Sequence, residues 1–324
     1  MEILDSGIGE LFQVPDMDAH RAYIREHRSH ALTEKLMTEQ EAVKKYVSDG
    51  DYLCYDCTML MRGPSSLIRE IIRQKKKNLG VGARFTYLVV ALLNGAGCLD
   101  RVDVGYMGVG NFNLLFSHGV RVSEWTNCSL TMRLMAASLG IPFIPVRFLG
   151  GTDAFKYSGA KLVSDPWTGD PTVLVPALNP DVGIIHVHQA DKYGNGRIFG
   201  PSVSPAEIAG ASKKVIISTE EIIDNELIRR EPGKTTIPYY LVDAVVQAPY
   251  GCHPGEVAGK YVSDTESIMQ ALRACGDPTE KTMQEYLEKY IYSVANHQEY
   301  LEKRVGLPKL LKLTQQATIK QGYS

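Results

Sequence analysis

One stretch limits the possible folds more than any other: the apolar run beginning Val182-Gly183-Ile184-Ile185-His186-Val187-His188. It is entered through Asn179-Pro180-Asp181 and left through Ala190-Asp191 and a Gly194-Asn195-Gly196 turn. A run of this kind without alternation between apolar and polar residues reads as a strand buried on both faces, as in a parallel sheet covered by helices. Such sheets present their polar groups, and bind their ligands, at the carboxyl ends of the strands.

The flanking sequence supplies the helices. Thr38-Glu39-Gln40-Glu41 has the pattern of a capping box, with Gly50 closing the helix, and residues 52–55 read as a strand. Arg62-Gly63-Pro64-Ser65-Ser66 opens a helix with Leu67, Ile68, Ile71 and Ile72 on one face. Strands are predicted over 85–93 and 101–105, and a helix over about 130–139, stopped by Gly140 with Pro142 beyond. Further strands are predicted over 172–175, 182–187, 215–218 and 241–246, then helices over 264–275, 280–294 and 297–304. The alternation predicts an α/β fold with an open, mostly parallel sheet flanked by helices. Residues 1–36, rich in charge and His with one helix over 18–30, read as an N-terminal extension; 37–324 read as one domain with a C-terminal helical cover.

Composition excludes several functions. With 35 basic and 37 acidic residues the net charge is −2, which leaves no footprint for nucleic acid or an anionic membrane. Lys75-Lys76-Lys77 reads as a cap on the helix before it. No apolar run reaches the ~18 residues of a membrane span, and the first residues lack the order of a signal peptide, so a cytoplasmic location is expected. The 6 cysteines have no regular spacing, which fits reduced thiols.

Four motifs carry candidate chemistry. Gly105-x-x-Gly108-x-Gly110 follows a strand, but its spacing is not that of a dinucleotide loop; it fits a loop whose amides touch another ligand, or a plain turn. Cys54 and Cys57 have C-x-x-C spacing without the second pair that a zinc site needs and without the helix start of a redox pair. His186 and His188 are two apart on a strand and face one side, which suits two metal ligands or two hydrogen-bonded core histidines; with no third ligand evident, no metal is expected. Glu220 and Glu221 end a strand, where a carboxylate could act as base or nucleophile, although adjacent residues point apart.

A longer pattern carries more information. Gly183-Ile184-Ile185-His186-x-x-x-Ala190-Asp191-x-x-Gly194-Asn195, Glu220-Glu221-Ile222-Ile223-Asp224, and Ile237-Pro238 through Ala248-Pro249-Tyr250-Gly251-x-His253-Pro254 occur in that order. Upstream stand Ser48-Asp49-Gly50-Asp51, Gly108-x-Gly110-Asn111, Gly140-Ile141-Pro142 and Gly150-Gly151-Thr152. From about Glu39 to the C-terminal helices the chain resembles the A subunit of family I CoA-transferases, that of glutaconate CoA-transferase most of all.

The resemblance implies a hetero-oligomer in which a B subunit completes an active site between the two chains. It implies coenzyme A as a substrate, with no permanently bound cofactor. The nucleophile is then a glutamate of the B subunit, which passes through an acyl-glutamyl anhydride and a glutamyl-CoA thioester. This chain would supply no nucleophile. Its share would be pocket walls and amide donors, with Gly108, Asn111, Gly150, Gly151 and Thr152 as substrate-binding residues. Where the family's A subunits carry a Gly-Gly-Phe-like turn after the first strand, this chain has Asp56-Cys57-Thr58, which makes Asp56 and Cys57 candidate auxiliary catalytic residues. Tyr106, Phe112, Phe116, Trp125 and Phe155 could line an acyl pocket or belong to the core. The competing readings are a CoA-dependent ring-opening hydrolase of steroid catabolism, in which water replaces the acceptor acid, and a non-catalytic ligand-binding module.

Overall fold

A strand with two apolar faces is stable only between two covering layers, and the architecture follows from that requirement. The computed structural model describes residues 2–108, 112–277 and 279–317. Its strands are β1 (Ile3–Ser6), β2 (Tyr52–Tyr55), β3 (Leu79–Phe85), β4 (Leu99–Tyr106), β5 (Arg121–Glu124), β6 (Phe143–Val146), β7 (Lys161–Ser164), β8 (Pro171–Pro176), β9 (Val182–Ala190), β10 (Gly196–Arg197), β11 (Lys214–Ile222) and β12 (Ala244–Gln247). The helices are α1 (Met17–His27), α2 (Glu39–Tyr46), α3 (Ser65–Arg73), α4 (Tyr87–Gly95), α5 (Phe112–Ser117), α6 (Asn127–Ser138), α7 (Asp153–Lys156), α8 (Pro205–Ala211), α9 (Asn225–Arg230), α10 (Thr265–Gly276), α11 (Lys281–Leu287), α12 (His297–Tyr300) and α13 (Leu307–Ala317). None of the described helices is long and apolar enough to cross a membrane.

The main sheet has the order β12-β11-β9-β2-β3-β4-β5, parallel throughout, with β10 antiparallel on β9. Between β5 and β9 the chain builds α6 and the strands β6, β7 and β8, which β1 joins in a four-stranded antiparallel sheet of order β1-β7-β8-β6. Residues before α2 are tied to both sheets: β1 pairs with β7, and Lys35 and Met37 exchange backbone hydrogen bonds of 2.9 Å with Val245.

Side chains of β2 alternate between two cores. Leu53 and Tyr55 pack with Leu67 and Ile71 of α3 and Val90 of α4, while Tyr52 and Cys54 pack with Leu130 and Leu134 of α6 and Ile208 of α8. The helices of the two halves therefore cover opposite faces. From β2 the order runs through α3 and α4 toward β5; from β9 it runs through α8 toward β12. Right-handed crossovers going in opposite directions place their helices on opposite faces, so the order reverses between β2 and β9.

The predicted α/β class and parallel sheet are those of the structure. The capping box at Thr38 forms, its hydroxyl accepting from Glu41 N while the Glu41 carboxylate accepts from Thr38 N. The strand predicted over 85–93 does not form: β3 ends at Phe85 and 87–95 is α4. Helix α4 lies between the sheet and the C-terminal helices, with Leu88 packed on Ile268 and Ala271 of α10 and Gly95 against Met283. It is apolar all round because it is covered all round, and such a run has no period that separates helix from strand.

One buried charge fixes α6 to the sheet. Asp103 on β4 accepts from the Tyr52 hydroxyl, from Trp125 Nε1 at 2.6 Å and from Arg133 Nη1 at 3.1 Å; Arg133 also lies over the Trp125 ring, 4.0 Å from its centre. Asp103 and Arg133 are both fully buried. Asp103→Ala strands the guanidinium in the core and is expected to cost about 3–5 kcal/mol, read as a lower urea midpoint in chemical denaturation.

Candidate functional site

The reversal of strand order puts a crevice at the carboxyl ends of β2 and β9, and Asp56 is the first residue beyond β2. Its N–H donates to Ile184 O on β9 at 3.3 Å. Its carboxylate is fully buried and is met by two arginines: Arg62 Nη1 at 2.5 Å from Oδ2 and Arg84 Nη2 at 3.5 Å from Oδ1. Arg62 also donates to Pro201 O (3.1 Å), and Arg84 to Cys57 O (3.3 Å). Burial pulls the Arg84 pKa down and the Asp56 charge opposes the shift. Each ion is tolerated here because the others are present.

Cys57 follows, with its thiol donating to Met59 O at 2.9 Å. Burial, with the Asp56 charge adding to it, pushes its pKa up to about 12. Cys54 belongs to the core on the opposite face of the sheet, so the C-x-x-C spacing does not bring the two thiols together.

At the end of β11, Glu220 accepts three hydrogen bonds: from Tyr261 OH (2.7 Å), from His186 Nε2 (2.8 Å) and from Tyr250 N (2.8 Å). His186 Nδ1 lies 2.8 Å from Ser218 Oγ. Ser218, His186 and Glu220 have the sequence of contacts of a nucleophile, base and acid, but Ser218 is fully buried and substrate cannot reach it. The network instead holds the loop after β12. Gly251 presses on the imidazole so closely that a Cβ there would stand 2.7 Å from His186 Cε1. That loop in turn grips the segment after β2, through Arg62 N to Glu256 O (2.9 Å), Glu256 N to Leu60 O (2.8 Å) and Ser66 N to Gly251 O (2.8 Å). Glu221 points elsewhere and takes hydrogen bonds from Gln189 and Lys260.

His188 faces a different partner set. Its Nδ1 accepts from Phe199 N (3.2 Å) and its Nε2 donates to Ala258 O (3.0 Å). Burial lowers its pKa from 6.5 to about 4, with Arg62 and His186 adding to the shift. The rest of the β9 signature is a turn: Asp191 Oδ1 accepts from the N–H groups of Tyr193, Gly194 and Asn195, and Oδ2 from Asn195 and Asn225 side chains.

Gly108 lies at the same end of the sheet, its N–H donating to Thr86 Oγ1 at 3.3 Å, so it shares a rim with Asp56 and Cys57. Asn111 lies outside the described residues. Gly150, Gly151 and Thr152 are on the connection from β6 to α7 in the antiparallel sheet, where the Thr152 hydroxyl caps α7 and Gly150 faces Val173. Trp125 and Phe155 are buried in the core with α6, whereas Tyr106 is 46% exposed at the end of β4, its ring 5.9 Å from that of Phe85. A small cavity of about 20 Å³ lies among Cys57, Leu60, Phe85, Leu88, Val89 and Cys252. A larger cleft of about 540 Å³ opens between the start of α2, the end of β12 and the start of α12. Sequence reasoning passed over Arg62, Arg84 and Tyr261. An arginine inside the apolar strand β3 was the available signal, because a buried guanidinium requires a carboxylate near it.

The profile of the coenzyme A transferase family matches residues 36–248. The A chain of glutaconate CoA-transferase from Acidaminococcus fermentans is 31% identical over 309 residues, 86% of this chain and 94% of its own. The crystal structure of glutaconate coenzyme A-transferase from that organism matches with a TM-score of 0.81 at 30% identity, over 86% of this chain and 95% of that one. The structure of the decarboxylase AibA/AibB matches with a TM-score of 0.70 at 29% identity, over 80% and 98%. A cholesterol ring-cleaving hydrolase IpdA subunit of Rhodococcus jostii is 26% identical over 71% of this chain and 83% of its own.

Two outcomes follow from these environments. Iodoacetamide at pH 8 is expected to label exposed Cys128 within minutes and to leave Cys57 unmodified, because a thiol with a pKa near 12 is about one part in ten thousand thiolate at that pH; peptide mass spectrometry reads the adducts. His188 is neutral in the folded chain down to about pH 4, whereas the unfolded chain takes up its proton near 6.5. The stability it contributes is therefore full above pH 6.5 and is lost as pH falls toward 4. Urea midpoints are expected to fall over that window, and less steeply in His188→Gln.

Proposed function

Because the chain belongs to the coenzyme A transferase family, we propose that it is the A subunit of a two-component enzyme that moves coenzyme A between an acyl-CoA and a carboxylic acid. The catalytic glutamate comes from a B subunit. It attacks the thioester carbonyl to give an acyl-glutamyl anhydride and the CoA thiolate. The thiolate then attacks the glutamyl carbonyl, releases the acid and leaves a glutamyl-CoA thioester, which the acceptor carboxylate resolves by the reverse steps.

The observation that carries this reading is the state of the carboxylates and thiols at the carboxyl end of the sheet. Glu220 is fully engaged by three donors, Asp56 by two guanidiniums, and Cys57 is held as a thiol. None of the three is available as a nucleophile, which suits a chain that works against a partner's glutamate. This chain's share is a rigid wall: the segment after β2 and the loop after β12 flank the place where an acyl oxyanion forms. Tyr106 and Met59, both about half exposed, flank the place where an acyl group enters.

A ring-opening hydrolase is the second reading, and the 26% identical ring-cleaving relative favours it. Transferase stands ahead because the glutaconate relative is more similar and is covered more fully.

Co-expression with a B-type chain of the family is expected to give one complex on gel filtration that transfers CoA to an added acid without releasing free CoA. The isolated chain is expected to lose at least a thousandfold of that rate. Full activity in the isolated chain overturns the proposed division of labour. Acceptor-independent opening of a cyclic keto acyl-CoA, read by mass spectrometry as the gain of one water with the CoA thioester intact, decides for the hydrolase.

A further inference from the structure

The segment after β2 and the loop after β12 enclose the cavity of about 20 Å³, which Phe85 at the end of β3 and Leu88 and Val89 of α4 also line. The polar hydrogens of its wall are already given away: Ser65 Oγ donates to Cys252 O at 3.1 Å, Cys57 Sγ to Met59 O at 2.9 Å and Cys252 Sγ to Leu60 O at 3.5 Å. Asp56, Arg62 and Arg84 line no part of it. Two glycines shape the wall. A Cβ on Gly255 would stand 2.2 Å from Leu60 O, so the loop can lie against the segment only with glycine there. A Cβ on Gly63 would stand 3.6 Å from Cys57 Sγ and 3.9 Å from Val89 Cγ2, which are ordinary contacts with two residues of the same wall. Packing therefore does not require glycine at 63, and its effect is to leave the cavity open. The rim is Met59, 54% exposed and held at φ 54° in a turn closed by Thr58 N to Met61 O (3.0 Å) and Met61 N to Thr58 O (2.9 Å). A left-handed backbone at a residue with a side chain costs energy, and here it keeps a flexible thioether at the cavity's edge.

We propose that this cavity receives the end of the acyl chain and that Gly63 sets its length, so that the substrates are short, unbranched acyl-CoA thioesters. This inference rests on the transferase reading above and names the substrate class of that site. The cavity has room for about one methyl-sized group. With the thioester carbonyl between the two flanking segments, an acyl chain of about three or four carbons reaches the cavity and fills it, an acetyl group leaves it empty, and a longer chain has to displace Leu88 or Val89 from a packed core. Coenzyme A is common to every donor, so its contribution cancels when donors are compared.

The test uses the co-expressed complex with deuterated acetate as common acceptor and follows deuterated acetyl-CoA by mass spectrometry. The donors are acetyl-, propionyl-, butyryl- and hexanoyl-CoA. The expected profile of kcat/KM peaks at propionyl- or butyryl-CoA, about tenfold above acetyl-CoA and about tenfold above hexanoyl-CoA. Gly63→Ala fills the space and is expected to lower the advantage of the best donor over acetyl-CoA by about tenfold. Met59→Ala opens the rim and is expected to raise hexanoyl-CoA relative to butyryl-CoA by several-fold. A flat profile, or one that climbs through hexanoyl-CoA, overturns the inference and leaves the transferase reading intact. A profile unchanged in both variants, in complexes that form, removes the cavity as its source and overturns the inference likewise. Transfer from glutaryl-CoA, run as a longer donor, with none from these four also overturns the inference and keeps the transferase reading. No transfer from any of the five donors, in a complex that forms, overturns both.

Discussion

The carboxylate of Asp56 and the guanidiniums of Arg62 and Arg84 make one buried charge cluster, and the carboxyl end of the sheet is arranged around it. Three buried ions are stable together and costly apart. Arg62 therefore fixes where the chain goes after β2, since its side chain reaches back to Asp56 and across to Pro201 O while its N–H meets Glu256 O. Arg84 ties the end of β3 to the same point. The segment following β2 becomes a wall of fixed shape rather than a mobile loop.

The second fixed point is Glu220. Its three donors come from three parts of the chain: His186 on β9, Tyr250 in the loop after β12, and Tyr261 farther along that loop. A carboxylate can take several donors at once, and here that capacity joins the strand ends to the loop that covers them. The two anchors meet because the loop after β12 and the segment after β2 bond each other through Leu60, Arg62 and Glu256. A fixed backbone at this end of the sheet suits the role proposed above, in which a partner chain supplies the nucleophile.

The residues that looked reactive in sequence are neutralised by their surroundings. Cys54 and Cys57 lie three apart but in the cores on opposite faces of the sheet, so burial and direction decide their fate and spacing does not. His186 and His188 share a face, yet each ring is already engaged, one by Glu220 and Ser218, the other by backbone groups of Ala258 and Phe199. Asp191 ends the signature strand and spends its carboxylate on the Gly-Asn-Gly turn.

Sequence by itself determined the α/β class, the buried parallel strand ending at Asp191, the capping box at Thr38 and the resemblance to the A chains of CoA-transferases. Each rests on local pattern or on an ordered set of motifs, and both survive without knowledge of contacts. It failed at 85–93, where an apolar run surrounded on all sides has no period to read, and it could not pair Asp56 with Arg62 and Arg84 or Glu220 with Tyr261. Those pairs join residues from 6 to 41 positions apart. Only the tertiary structure decided them, because the partners a buried charge meets depend on which strand ends the sheet order brings side by side.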